Sequence, residues 1–399
     1  MMCSVTSEFP VLIIGAGISG LALAQGLRCR SIPFRIFERH PQSRLLQGHR
    51  FRISPEGAEA LQRVLPSDLY ELFLHTGAKN APFQPRYVDA KGMNFRERKR
   101  VENPNSIPID RSLLRNVMIQ GIENAIEYGR ELSAYEVDAT TKKITAKFHD
   151  GSEANGIALI GADGIWSRVR KQYQTHRKLI NLERWITWGR TQLAEHLREN
   201  LPEDVLSWFM AIDGEANSQA VIDPMEWSEA ASVEANGRLP DFRDYIYWAV
   251  ATETAPRDPG TAKGRKDFLR QITNSWDPNL QIIFTQANHE LSTCAPIVSS
   301  KPNIELKSSS QPATVTLIGD AAHPMSPMGG AGGDLALQGV ADLLNMVDQF
   351  GITKEGIRRF EETIELRAEP KLYRSFANGK KFWKGKEWYE YDEIADRQG

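Results

Sequence analysis

Short apolar runs closed by glycine, each followed by residues at helical spacing, stand near both ends of this chain. Val11-Leu-Ile-Ile14 runs into Gly15-Ala-Gly17-Ile-Ser-Gly20 and then into Leu21-Ala-Leu-Ala24. That order predicts a buried strand, a tight turn and a helix. Phe34-Arg-Ile-Phe37 predicts the next strand, which ends at Glu38. A helix is expected from Ser54-Pro55-Glu56, where a capping residue precedes proline at the first helical position. Another is expected from Ile109-Asp110-Arg111 through Tyr128, with Asp110 as its cap. Alternation over Lys143–His149, followed by Asp150-Gly151, predicts a hairpin. Ile157-Ala-Leu-Ile160 predicts a buried strand that leads into Gly161-Ala-Asp163-Gly164. From Leu182 to Ile297 the pattern changes. Strand-like pieces such as Trp185–Trp188 and Tyr245–Val250 alternate there with loops containing proline and glycine. The strand-then-glycine pattern returns from Ala313, as Val315-Thr-Leu-Ile-Gly319-Asp320-Ala-Ala-His323. Helices are expected from Gly333 to Gln349 and from Thr353 to Ala377.

The glycine spacing carries chemistry. Gly15 lets the chain turn sharply off its strand, Gly17 lets backbone N–H groups approach a pyrophosphate, and Gly20 lets the helix pack close to the sheet. The N-terminus of that helix adds partial positive charge where phosphates would sit. Glu38 lies 38 − 20 = 18 residues beyond Gly20, near the roughly 20-residue offset of a carboxylate that binds a ribose hydroxyl. An acid there opposes a 2′-phosphate. Downstream, Asp320 stands at a strand end, and Gly329-Gly330-Ala331-Gly332-Gly333 precedes a helix start able to stabilise negative charge. The two ends together point to one long dinucleotide, FAD.

Bulk composition narrows the class. With 41% hydrophobic and 25% charged residues over 399 positions, the chain is ordinary for a soluble enzyme of one large or two closely joined domains. A net charge of −2 gives no reason to expect a nucleic-acid partner. Three cysteines (Cys3, Cys29, Cys294) show no CxxC and no framework spacing, so no metal site is expected and a reducing, cytoplasmic setting is. The glycine-broken N-terminal run reads as strand plus helix, not as a targeting signal. No apolar run reaches the ~18 residues of a membrane span. The aromatic, basic segment Lys380–Tyr391 reads as a helix packing its rings on the body, or as a surface for a membrane or partner.

Three motifs, in this order, resemble the class A FAD-dependent monooxygenases, the group of p-hydroxybenzoate hydroxylase. They are Gly15-x-Gly17-x-x-Gly20 with Glu38; Asp163-Gly164-x-x-Ser167-x-Val169-Arg170, similar to the family's DG motif; and Gly319-Asp320-Ala-Ala-His323 followed by Pro327, Gly330 and Gly332. The resemblance implies that Glu38 binds the adenosine ribose and that Asp163 shapes the face shared by FAD and the nicotinamide nucleotide. It implies that Asp320 binds the ribityl hydroxyls and that Arg111 contacts the flavin side of the cofactor. Arg50, in the loop Gly48–Arg52, falls near a family arginine that reaches the pyrophosphate. The family usually has Asn where this chain has Asp334, whose charge would oppose a flavin anion. Asp334 is therefore expected to point away.

The implied fold class is α/β: a Rossmann-type FAD-binding domain with a mostly antiparallel β-sheet substrate domain and C-terminal helices. The expected split is 1–181 with an excursion near 82–108, then 182–297 as the substrate domain, then 298–399. The implied activity is NAD(P)H- and O₂-dependent hydroxylation of an apolar, aromatic or polycyclic small molecule through a flavin C4a-hydroperoxide. NADPH or NADH would serve as a transient reductant, since no second GxGxxG is present. Epoxidation, Baeyer–Villiger insertion, oxidative rearrangement of a natural-product scaffold, or a non-redox FAD-binding cyclase remain alternatives. Arg190, where the chain enters the 182–297 region, is the candidate substrate-binding residue, and a surface ion pair is its other reading. Trp185, Trp188, Trp208, Trp227 and Trp248 suit a pocket for rings or a sheet core alike. Asp163 equally suits a helix cap, His323 a buried turn, and Ser167 has no His–Asp pattern to activate it.

Overall fold

The structure is a computed structural model, and it describes residues 9–43, 50–79, 86–94, 106–235, 237–305 and 314–394. Five parallel strands form one sheet, in the order Val315–Leu317, Ala158–Gly161, Val11–Ile14, Phe34–Glu38, Ile126–Tyr128. Val11–Ile14 and Ala158–Gly161 are buried throughout, as expected of strands covered on both faces. The helices Ile18–Cys29, Gly332–Phe350 and Lys354–Trp383 share the core of this sheet, where Leu21, Leu344, Phe360 and Ile364 meet. The two glycine-closed strands lie two places apart, with Ala158–Gly161 between them. The chain's two ends therefore build one sheet and one strand-end edge.

A second, six-stranded sheet has the order Thr293–Ser299, Ile180–Gln192, Tyr245–Thr252, Ser218–Met225, Phe209–Asp213, Arg86–Asp89. All pairings are antiparallel except the last. Strand alternation sends Ile222, Ile246, Trp248 and Val250 to one face. There they pack with Leu269, Leu280, Ile283 and Phe284 of the helices Ala262–Ile272 and Pro278–Thr285. The opposite face meets a small antiparallel pair, Arg50–Ile53 with Ile107–Asp110. The hairpin at Asp150-Gly151 forms as expected: Ile144–Phe148 pairs with Glu153–Gly156, and Gly151 takes a left-handed turn at φ 81°.

Two boundaries differ from expectation. The helix opened by Asp110 ends at Ile119 instead of Tyr128. Gln120 is extended and Gly121 left-handed (φ 74°), and Ile126–Tyr128 instead extends the parallel sheet beside Phe34–Glu38. The last helix continues past Ala377, through Pro370, to Trp383. Its C-terminal rings then cover the antiparallel sheet: Phe376 and Trp383 pack with Ile180 and Ile297. Gly48, Ala313, Cys3 and most of the 82–108 segment lie outside the described residues.

Candidate functional site

The turn after Val11–Ile14 is built by close approach. Gly15 has φ 110°, and a Cβ there would strike the Ala162 carbonyl oxygen. Gly20 abuts the Gly15 carbonyl. Gly17 differs: a Cβ on it would meet nothing within 4 Å, because Gly17 faces an open cleft. Glu38, Arg39, Arg111, Arg115, Asp163 and Trp166 line the same cleft. Glu38 is buried and fastened to the turn. Its Oε2 accepts the Ala16 N–H at 2.9 Å, and its Oε1 accepts the His40 N–H at 2.9 Å.

Asp163 caps a helix with one oxygen and leaves the other without a partner. Its Oδ2 accepts the Arg168 and Val169 N–H groups at 2.7 and 3.2 Å, capping the helix Arg168–Tyr173 alongside Ser167. Its Oδ1 is buried with no hydrogen-bond partner, and desolvation raises its carboxyl above the ordinary range. That orphaned oxygen, on a residue lining the cleft, calls for a donor that the protein does not supply. Arg111 and Arg115 stand one turn apart on the helix Arg111–Ile119 and both line the cleft. Arg115 donates from Nη2 to the Ala16 carbonyl at 2.9 Å and keeps a buried Nε without a partner. Burial and Arg111 lower its pKa to about 10, so it stays charged at neutral pH. Sequence reading missed Arg115. Its only signal was its place four residues after Arg111.

The downstream motif docks against this cleft. A Cβ on Gly319 (φ 58°) would collide with Ser19 Oγ of the first helix. Arg170 reaches across from the Asp163 motif, donating to the Ala321 carbonyl at 2.8 Å and the Ile165 carbonyl at 2.6 Å. Asp320 is exposed at the strand end. Desolvation by the surrounding protein raises its carboxyl above the usual range, while Arg111 and Arg170 pull it back down. A carboxylate held this way suits hydroxyl donors.

Gly330, Gly332 and Gly333 stand at the start of the helix Gly332–Phe350, outside the cleft lined by Gly17. Gly330 is left-handed (φ 61°), and a Cβ on Gly333 would press on the Phe51 ring at 2.7 Å. Asp334 does not cap this helix. Its Oδ1 accepts the Ser54 N–H at 2.9 Å, which ties it to the start of the helix Pro55–Val64. His323 is fully buried, and neither ring nitrogen has a partner.

One arginine sits elsewhere than the sequence suggested, and a second has more partners than expected. Arg50 does not line the Gly17 cleft. It forms a buried ion pair with Asp223 of the antiparallel sheet, and its guanidinium lies 5.7 Å from the Tyr247 ring centroid. Arg52 joins the same carboxylate at 3.4 Å. Arg190 is no isolated surface residue. At 29% side-chain exposure it lies 3.6 Å from buried Asp110 and 5.5 Å from the Tyr245 ring centroid. Asp110 is the cap of the Arg111–Ile119 helix, and it also accepts the Tyr245 hydroxyl at 2.8 Å. One carboxylate thus joins the cofactor-cleft helix to Arg190. Of the tryptophans, Trp248 and Trp227 are core residues, while Trp185 and Trp188 are half-buried. The described residues hold no cluster of metal-binding side chains and no helix long and apolar enough to cross a membrane.

The sequence and the fold have counterparts among known proteins. The chain is 28% identical over 423 residues to the dual O-methyltransferase/FAD-dependent monooxygenase CTB3 of Cercospora beticola, covering 97% of this chain and 48% of that protein. It thus spans about half the length of that bifunctional relative. It is 28% identical over 372 residues to the FAD-dependent monooxygenase thnD of Trichoderma harzianum, covering 85% and 84% of the two chains. A solved structure from Photorhabdus luminescens, of a chain assigned as a FAD-containing monooxygenase, superposes with a TM-score of 0.76 at 26% identity, over 92% of this chain and 96% of the other. The family described as FAD binding domain matches residues 97–349, more than half of the sequence. This chain belongs to that FAD-binding family.

Proposed function

We propose that this chain is an FAD-dependent monooxygenase of secondary metabolism, using NADPH or NADH and O₂ to hydroxylate an apolar, aromatic small molecule. One observation carries the reading: Gly17, Glu38, Arg111 and Asp163 share a cleft, and Asp320 is fastened beside it through Arg170 and the Ser19–Gly319 contact. The monooxygenase names of the relatives support the choice of chemistry.

Bound FAD would supply electron transfer from the nicotinamide nucleotide and activation of O₂. The protein's part is positioning. Glu38 is placed to accept adenosine ribose hydroxyls. Arg111 would contact the flavin side, and Arg115 and the N-terminus of the helix Ile18–Cys29 would meet the pyrophosphate. Asp320 would accept the ribityl hydroxyls, and the orphaned Oδ1 of Asp163 would be available to the nucleotide. The Gly330–Gly333 helix start would stabilise negative charge on the flavin's pyrimidine side. Arg50, held by Asp223, acts in the substrate half and not at the pyrophosphate. Residues 1–181 and 298–399 form the cofactor half, 182–297 the substrate half, and a cytoplasmic setting provides the reduced nucleotide. Purified protein is expected to be yellow, to release FAD on denaturation, and to consume NADPH faster with a phenol, indole or polyketide substrate, forming one hydroxylated product per nucleotide. A colourless protein that cannot be reconstituted with FAD sinks the assignment, as does substrate-independent oxidation with no product.

A further inference from the structure

The face of the antiparallel sheet turned toward Arg50 and Asp110 carries two rows of contrasting chemistry. Cross-strand pairing puts Arg190 beside Tyr247, and Tyr247 beside Asp223. Two residues along, it puts Trp188 beside Ala249, Ala249 beside Val221, and Val221 beside Met210. Residues two apart on a strand share a face, so a polar row across three strands and an apolar row across four lie side by side, roughly 7 Å apart, spanning roughly 10 Å and roughly 14 Å. The intervening residues Trp248 and Ile222 point the other way, into the helix-covered core. Trp188, Arg190, Val221 and Tyr247 are half-buried, so the two rows are partly open to solvent. Ala249, in the middle of the apolar row, has the smallest side chain of the row.

The polar row offers donors. Asp110 is already satisfied by Ser112, Leu113 and Tyr245, and Asp223 is held by Arg50 and Arg52. Arg190 keeps part of its guanidinium in the open, and Arg50 has a buried Nε with no acceptor. Burial raises the pKa of the Tyr247 phenol, so it remains protonated at neutral pH. The charges of Arg50, Arg52 and Arg190 exceed those of Asp110 and Asp223 by 3 − 2 = 1. A ligand meeting this row must bring acceptors, since buried donors left unmatched are costly.

Building on the monooxygenase reading above, we propose that these two rows are the substrate-recognition surface and select a flat, fused-ring aromatic with acceptor oxygens, carbonyl or phenolate, along one edge. The rings lie over Trp188, Ala249 and Val221. The oxygen edge meets Arg190 and Tyr247, and Asp223 is a positioning residue that holds Arg50.

The test is equilibrium binding to the FAD-loaded protein, read from perturbation of the visible spectrum of oxidised FAD. The probes are 2-hydroxy-1,4-naphthoquinone, 1-naphthol and naphthalene. The quinone is expected to bind at least tenfold more tightly than 1-naphthol. Arg190→Met should weaken quinone binding roughly tenfold, the range of one charge-assisted hydrogen bond, and 1-naphthol binding less than twofold. Tyr247→Phe should weaken the quinone alone, by a smaller factor. Ala249→Leu should weaken all three probes and leave FAD content unchanged. Equal affinity for the three probes, or an Arg190→Met loss shared equally by quinone and naphthol, overturns the proposal. Absence of binding by any probe to protein that holds FAD overturns it too, without touching the cofactor assignment. Failure to hold FAD counts against the monooxygenase reading instead.

Discussion

Asp320 and His323 stand three residues apart, and their environments predict opposite tests. Asp320 is exposed and its carboxylate feels the charges of Arg111 and Arg170, whereas His323 is sealed in the interior. Asp320→Ala should lower FAD affinity tenfold or more, because hydrogen bonds to a charged acceptor contribute about 1.5–3 kcal/mol each. Arg190→Ala, on the substrate sheet, should leave FAD content unchanged. Flavin absorbance per protein after gel filtration compares the two, and equal losses would remove Asp320 from the cofactor site. Burial lowers the His323 pKa from 6.5 to about 3, so the fold keeps the ring neutral. The unfolded chain binds the extra proton between those values. His323 therefore supports the fold fully above pH 6.5, and that support is lost as pH falls toward 3. The loss should be on the order of 3 kcal/mol near pH 4. Urea midpoints of His323→Gln should fall less with acidification than those of the parent. At this scale the sequence announced Gly15, Gly17, Glu38, Asp163 and Asp320, because each stands at a strand end in a fixed motif. It singled out Arg50 but not its partner, and so set it at the pyrophosphate instead of on the antiparallel sheet. The carboxylate that claims Arg50 is 173 positions away, Asp223, on a strand with no motif of its own.

The helix Arg111–Ile119 shows how one element serves two functions. Its cap, Asp110, spends Oδ1 on the Ser112 and Leu113 N–H groups and Oδ2 on Tyr245 and Arg190. Its Arg111 and Arg115 both line the Gly17 cleft. Asp110→Asn keeps a capping oxygen and loses the acceptor for Tyr245; Asp110→Ala loses both. The alanine variant should be destabilised by the usual ~1–2 kcal/mol of a lost cap plus the cost of an orphaned Tyr245 hydroxyl, ~1–3 kcal/mol. The asparagine variant should show only the second effect. Chemical denaturation of the two, beside Tyr245→Phe, separates the contributions, and identical losses in both Asp110 variants would contradict the division. The start of this helix was readable from Asp110, and its end was not. Gly121 and the strand Ile126–Tyr128 stop it, and that strand exists because Phe34–Glu38 needs a parallel neighbour. Pairing of this kind is tertiary and leaves no local trace. The long last helix passes Pro370 for a similar reason: Ile364, Ala368, Leu372 and Phe376 are buried on either side of the proline.

For the molecule as a whole, the α/β class was legible because parallel strands covered on both faces read as unbroken apolar runs. The facing of the antiparallel sheet was not, because Trp-rich strands look alike whether their rings enter a core or a cleft. Trp248 proved to be core and Trp188 half-open. The antiparallel sheet is joined to the two-stranded pair by ionised groups as well as by packing. Asp223, 3% exposed, is matched by Arg50 from the opposing two-stranded pair and by Arg52 beside it. Breaking a buried pair from one side leaves an uncompensated charge and typically costs about 3–5 kcal/mol, whereas removing both partners costs much less. Asp223→Ala should therefore lower the urea midpoint sharply, and Arg50→Met in the same chain should restore much of the loss. Arg52, at 17% exposure, can turn to water and should need no third change. A double variant as unstable as Asp223→Ala alone would mean that the carboxylate supports the junction through packing and not through charge. Should the double variant recover its stability and its FAD yet fail to bind 2-hydroxy-1,4-naphthoquinone, the pair would be established as a substrate device placed where the two halves meet.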